Sequence, residues 1–179
     1  KAEMKNWNAG IYDAFQSALS RRQVLFGDVR SDNVTGTSYE DSKIYMNALM
    51  PNISEASWEP FFTCISRCNI GIQKYPTITN ILESEYAPYI GQCYAMRAYM
   101  YFWGTRTWGK MPIITEPWDG SLNSIAIPRS SLEQVKEQIL SDIEKAISYF
   151  NQSDTSDKIY LGKDAMYALL TEVHMWYND

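Results

Sequence analysis

The chain has 179 residues, of which 45% are hydrophobic and 21% charged, which suits one globular domain with a sizeable core. Its net charge of −5 and its scattered Lys and Arg argue against nucleic acid as a partner, because nucleic-acid binders concentrate basic groups to neutralise phosphates. No apolar run approaches the roughly 20 residues that cross a bilayer. The aromatic share of 14% is typical of cores and of sugar- or protein-binding surfaces alike.

Five segments carry apolar residues at helical spacing, and each predicts an amphipathic helix. We expect helices over about 5–24, from Trp58 to Pro76, over 83–107, from about 132 to 150, and after Gly162. The expected inward-facing residues are, in chain order, Trp7, Ile11, Phe15, Ala18 and Leu19; Trp58, Phe61, Phe62, Ile65, Cys68 and Ile72; Ile90, Tyr94, Ala98, Tyr101 and Phe102; Leu132, Val135, Ile139, Ile143, Ile147 and Phe150; and Ala165, Leu169, Val173 and Trp176.

The ends of these helices carry recognisable signals. Pro76 ends the second helix, and Gly109 with Pro112 ends the third. Ser130 followed by Glu133 is typical of a capping box and predicts the start of the fourth.

Each predicted helix has one apolar face, so consecutive helices must bury those faces against each other. Short links near 77–80 and 151–157 join the second helix to the third and the fourth to the fifth. The sequence therefore predicts an all-α fold of stacked, tetratricopeptide-like helical hairpins, with long irregular loops over 27–57 and 107–129. We expect a single helical domain over 1–179, and the abrupt ends at Lys1 and Asp179 predict that it belongs to a longer protein.

The chemical groups of enzymes and metal sites are sparse. Cys64, Cys68, Cys93 and His174 could in principle bind zinc, but they lack the paired spacing of zinc motifs, and we expect buried, unreactive thiols. His174 has no neighbouring nucleophile motif, and no glycine-rich phosphate loop is present. We predict no enzyme activity, no cofactor and no metal.

Four stretches of the sequence contain ordered motifs. Residues 58–69, WEPFFTCISRCN, resemble W-x-x-x-Y-x-x-I-x-x-A-N. Residues 92–102, QCYAMRAYMYF, resemble E-A-x-F-L-R-A-x-x-Y-F, and WGKMPI at 108–113 resembles Y-G-x-V-P-L. The segment from Arg129 to Val135 is similar to R-x-S-x-x-E-V, and the one from Gly162 to Met175 to G-x-x-A-x-x-A-L-L-A-x-V-Y-L. Together these stretches resemble the motifs of the SusD/RagB family, in that family's order. Cys68 and Cys93 stand where the family has Ala, Gln92 where it has Glu, and Phe62 where it has Tyr.

The resemblance implies the amino-terminal portion of a non-catalytic nutrient-binding protein, lipid-anchored on the outer surface of the outer membrane through a group upstream of this chain. Such a protein binds oligosaccharide or polysaccharide, or in some members peptide, and serves as the lid of a SusC-like TonB-dependent transporter. The alternative that the residues leave open is a helical-repeat module for protein or peptide binding. An enzyme is the third and most distant reading.

Sugar capture uses flat aromatic faces and planar amides or carboxylates. Tyr39, Tyr45 and Asn47 lie in a loop that contributes to the ligand site in some members of the family, and Trp118 lies in the second long loop. We name these four as candidate ligand-binding residues, with the alternative that the aromatics only pin their loops to the helices.

Arg97 is retained on an otherwise apolar helix, and we expect it to be a structural buried charge. An uncompensated buried guanidinium is costly, so a carboxylate or a set of carbonyl groups should meet it. Asp142 and Glu172 are the candidate partners, in a scaffold bond without contact to ligand.

Overall fold

The computed structural model of this protein describes residues 2–31, 38–120, 126–152 and 159–178, with the backbone alone at residues 2, 40 and 41. Six α-helices form this part of the chain. They are α1 (Ala2–Phe26), α2 (Tyr39–Tyr45), α3 (Glu59–Lys74), α4 (Glu83–Trp108), α5 (Leu132–Phe150) and α6 (Lys163–Tyr177). These ranges contain no strand. The all-α prediction of stacked helical hairpins is confirmed, since α3 packs on α4 and α5 packs on α6.

Two differences concern the long connections. The short helix α2, inside the first of them, was missed by the periodicity because it has only seven residues. Residues 32–37 and 121–125 of the two loops, and 153–158 between α5 and α6, lie outside the described residues.

Helix α4 is the centre of the fold. It contacts α1, α3, α5 and α6, and from Ile90 to Thr105 all of its residues except Tyr94 and Tyr99 are buried. A helix that is enclosed on every side needs apolar or small residues around its whole circumference. The close approach of α5 depends on Gly91, since a Cβ atom there would lie 2.7 Å from Cε1 of Phe150.

The inward face of α1 differs by one residue from the prediction. Trp7 is 44% exposed, whereas Met4, Asn8 and Ile11 are buried. The buried face of α1 includes the polar residue Asn8. Asn8 can be buried there because its Nδ2 donates a hydrogen bond of 2.9 Å to Oε1 of the buried Gln92 on α4. Polarity alone had suggested that Trp7 was the inward residue.

Leu132 and Trp176 are also more exposed than predicted, at 45% and 51%. Leu132 is the first residue of α5 and precedes the first buried position, Val135. On α6 the inward row continues from Val173 to Tyr177, so that Trp176 lies beside it.

The capping box of α5 is one residue later than predicted. The hydroxyl of Ser131 accepts a hydrogen bond from the backbone N–H of Gln134 at 3.2 Å, and the Gln134 side chain accepts from the N–H of Ser131 at 2.8 Å. Ser130 cannot take this role because its own N–H donates to the carbonyl of Met111 at 3.0 Å. That bond keeps Ser130 in the preceding extended segment.

Candidate functional site

A buried ion pair joins α4 to α5 in the middle of the fold. The Arg97 guanidinium donates from Nε to Asp142 Oδ2 at 2.8 Å and from Nη2 to Oδ1 at 2.7 Å. The two side chains are 3% and 0% exposed. Burial by itself lowers the pKa of Arg97, but the hydrogen bonds and charge of Asp142 outweigh it, so the pKa is raised above its ordinary value. Of the two carboxylates considered from the sequence, Asp142 is the partner.

The same guanidinium also reaches α3 and the loop that follows α4. Its Nη1 donates to Asn69 Oδ1 at 2.7 Å and to the carbonyl of Thr115 at 3.2 Å. Asn69 Nδ2 donates in turn to the carbonyl groups of Ile114 at 3.0 Å and Glu116 at 3.2 Å. The ion pair and the amide thus form one polar network beneath residues 114–116.

Tyr101 contributes a second attachment for this loop. Its hydroxyl accepts from the backbone N–H of Ile114 at 2.7 Å and donates to the carbonyl of the same residue at 3.0 Å. Burial raises the pKa of Tyr101 to about 12, although the bond to Ile114 opposes the shift. The phenol therefore keeps its proton, and with it the donated bond, over the ordinary pH range.

The outer side of the loop forms an open cleft of about 610 Å³. Residues 113–119 and Ile127 line it among the described residues. Trp118 is 66% exposed there, and the exposed carboxylate residues Glu116 and Asp119 lie on either side of it in the chain. An aromatic face and carboxylate acceptors that line the same cleft form a surface that a polyhydroxylated ligand can use.

The other three candidate ligand residues do not line this cleft. Tyr39, the first residue of α2, is 70% exposed, with Lys43 Nζ 5.1 Å from its ring centroid. Tyr45 is partly buried and packs against the core. Asn47 has a positive φ of 55°, and its Oδ1 accepts from Arg30 Nε at 2.8 Å. Their predicted role in binding stays a prediction.

Sequence reasoning missed Glu116 and Asp119. The sequence did contain a pattern that could have indicated them as ligand-binding residues, since one acidic residue lies two positions before Trp118 and another directly after it. It also missed Asn69, because nothing in the sequence indicates that an asparagine on α3 faces carbonyl groups 45 to 47 residues later.

A second cleft, of about 400 Å³, lies between the end of the first long loop and the end of α4. Trp58, Trp108 and Arg129 are among the residues that line it. The ring of Trp58 stacks on Phe62 with 5.9 Å between centroids, and the guanidinium of Arg129 lies 5.1 Å from the Trp58 centroid. Because the aromatic surface of Trp58 is already occupied by Phe62 and Arg129, this cleft is the weaker candidate for stacking a sugar.

The three cysteines lie in the core and are free thiols. A hydrogen bond with Cys68, together with burial, raises the pKa of Cys64, and burial raises that of Cys68. Neutral buried thiols react slowly, because the thiolate is the nucleophile and the metal ligand. The described residues contain no group of three or more His, Cys, Asp or Glu placed to hold a metal ion.

Comparison with known proteins supplies the family. Residues 1–175 match the sequence model of a SusD-like family described as starch-binding and associating with the outer membrane. The chain is 31% identical over 176 residues to the SusD-like protein P38 of Formosa agariphila, an alignment that covers 96% of this chain and 34% of that protein. This chain belongs to the SusD-like family, and it spans about a third of the length of that curated relative.

Solved structures agree on the fold. A laminarin-binding SusD-like protein has a TM-score of 0.85 at 22% identity, over 99% of this chain and 40% of its own. A SusD superfamily protein of Bacteroides thetaiotaomicron has a TM-score of 0.84 at 20% identity, over 99% of this chain and 44% of its own. A crystal structure with xylogluco-oligosaccharide has a TM-score of 0.79 at 22% identity, over 96% of this chain and 34% of its own.

Within the described ranges, no helix is both long and apolar enough to span a membrane.

Proposed function

We propose that this chain is part of a surface glycan-binding subunit, and that the cleft at Trp118 binds an oligosaccharide. The exposure of Trp118, at 66%, is the observation that carries the proposal. The indole offers a flat apolar face to the C–H groups of a sugar ring. The carboxylates of Glu116 and Asp119 can accept hydrogen bonds from the sugar hydroxyls.

The charges around the cleft favour an uncharged glycan. Two of its lining residues are acidic, and no Lys or Arg is among the described residues that line it. Sugars that carry carboxylate or sulfate groups would meet like charges here, which lowers their affinity relative to neutral sugars. The names of two structural relatives refer to laminarin and to xylogluco-oligosaccharide, so fragments of these uncharged polymers are the natural first probes.

The subunit makes and breaks no covalent bond in this proposal. It holds the oligosaccharide at the outer surface of the outer membrane, anchored by lipid, and passes it to a SusC-like TonB-dependent transporter. The description of the family as associating with the outer membrane supports this location. If the full-length protein is co-expressed with such a transporter encoded beside it, we expect the two to elute together in detergent. Separate elution would contradict the partnership.

Titration calorimetry with laminarin and xyloglucan oligosaccharides tests the binding. We expect Trp118→Ala to weaken the affinity by about tenfold or more, which corresponds to ~1.4 kcal/mol. Trp176→Ala is the matched control, since Trp176 is also a half-exposed tryptophan but lies on α6; it should leave the affinity unchanged. Tyr39→Ala examines the other exposed candidate in the same assay.

Three outcomes of that titration would count against the proposal. Absence of binding by the unaltered full-length protein would remove the function, and equal losses in the two tryptophan variants would remove the site. Tighter binding of an oligogalacturonate than of the neutral oligosaccharides would overturn the predicted charge preference. Recovery of shortened sugars by chromatography would show catalysis.

A further inference from the structure

The loop that carries Trp118 has no helix or strand of its own between Met111 and Trp118, yet several of its backbone groups are bonded to side chains of the helices. Three successive carbonyl groups, those of residues 114, 115 and 116, accept hydrogen bonds from side chains of α3 and α4. The donors are Asn69, Arg97 and Tyr101, which are 1%, 3% and 0% exposed. A loop whose carbonyl groups are bonded to rigid, buried side chains has one favoured shape.

Asn69 connects this loop to the ion pair. Its amide accepts from Arg97 through Oδ1 and donates to two carbonyl groups through Nδ2. Arginine only donates and carbonyl oxygens only accept, so this surrounding admits a single orientation of the amide. Tyr101 holds Ile114 by both its N–H and its carbonyl group.

We propose that Asn69 and Tyr101 are positioning residues for the carbohydrate cleft: they fix residues 114–116 so that Glu116 and Trp118 have their binding geometry before ligand arrives. This inference rests on the proposed function. A loop ordered in advance avoids the entropic cost of ordering on binding, so the affinity depends on residues that never touch the sugar. The hydroxyl of Tyr101, for example, acts through the backbone of Ile114.

Tyr101→Phe is the first variant, because it removes one hydroxyl and retains the packing of the ring. The matched control is Tyr94→Phe on the same helix, which keeps the ring that stacks on Tyr149 and lies 5.2 Å from the Arg97 guanidinium. It removes a hydroxyl that makes none of the loop's hydrogen bonds described above. Asn69→Ala removes a second of the three donors to the loop. Should that variant fail to fold, Tyr101→Phe alone decides the question.

Amide hydrogen exchange without ligand is the first measurement. We expect the backbone N–H groups over 113–118, of which Pro117 has none, to exchange about tenfold faster in Tyr101→Phe, above all that of Ile114, which loses its acceptor. Helices α3 and α5 should exchange as before. Tyr94→Phe should leave the loop unchanged. Unchanged exchange over 113–118 in Tyr101→Phe would overturn the proposal.

Oligosaccharide affinity in a double-mutant cycle is the second measurement. If Tyr101 acts by positioning Trp118 together with Glu116, the loss of affinity in Tyr101→Phe, expected to be about fivefold, should become clearly smaller when Trp118 is already alanine. A loss of the same size in both backgrounds indicates general loosening of the fold and rejects positioning. If the unaltered full-length protein binds no glycan, the proposed function fails. Faster loop exchange then still establishes that Tyr101 holds the loop, but the role of Tyr101 in carbohydrate binding is rejected.

Discussion

Two arginines of α4, nine residues apart, show how much burial changes the meaning of an ion pair. Arg97 meets Asp142 at 2.7 Å with side chains 3% and 0% exposed, whereas Arg106 meets Glu172 at 3.8 Å with side chains 41% and 62% exposed. Both guanidinium groups also lie near aromatic rings, Arg97 at 5.2 Å from the centroid of Tyr94 and Arg106 at 5.0 Å from that of Trp176.

The two ion pairs differ in whether water can take the place of a partner that has been removed. Water can solvate either member of the exposed pair, so the pair contributes little and salt weakens it further. Water cannot reach the position of Asp142 beside Arg97 unless the core rearranges. Removal of Asp142 would therefore leave the Arg97 guanidinium buried without a counter-charge and without two of its hydrogen-bond acceptors. The buried pair therefore ties α4 to α5, to α3 and to the Trp118 loop, whereas the exposed pair connects α4 to α6 only.

Asp142→Ala should produce the largest effect. It leaves the guanidinium of Arg97 buried without its carboxylate, which typically costs about 3–5 kcal/mol. Urea denaturation of the variant and the unaltered chain measures the change in the free energy of unfolding. A loss below about 1 kcal/mol would show that the two arginines are energetically alike and would break the comparison.

Alkaline pH should produce the next largest effect, through Tyr101. Its pKa is about 12 in the folded protein and close to 10 in an unfolded chain. Between these values the unfolded state has lost a proton that the folded state keeps, so stability is fully present below pH 10 and falls as pH rises, by about 1.4 kcal/mol per pH unit. Denaturation series from pH 9 to 12 should show a shallower decline for Tyr101→Phe; parallel declines would contradict the burial of this phenol.

Glu172→Gln should produce the smallest effect, a loss of about 0.5 kcal/mol or less. Since the pair is exposed, that small difference should disappear at about 1 M salt, where screening is strong. The same denaturation assay, with and without added sodium chloride, measures it. A loss comparable with that of Asp142→Ala would mean that exposure is a poor guide to the strength of these pairs.

Local sequence patterns sufficed for elements whose signals lie within one helix. The apolar rows of α3 and α4 were readable because most of their residues point into the same core, and Arg97 stood out as a charge among apolar neighbours. Trp7 and Ser130 were misread because a hydrogen bond to another part of the chain, from Asn8 to Gln92 and from Ser130 to Met111, overrode the local pattern. The acidic neighbours of Trp118 were visible in the sequence but had no meaning until the cleft was known.

The sequence by itself determined the helical class, the order of the hairpins, the family and the presence of one buried charge, because periodicity, helix ends and motifs are properties of neighbouring residues. Only the tertiary structure decided that Asp142 and not Glu172 meets Arg97, that Asn69 and Tyr101 hold residues 114–116, and that Trp118 is exposed while Trp58 is partly buried against the core. These contacts join residues 13 to 47 positions apart. Their partners are selected by how three helices pack, which no short stretch of sequence contains.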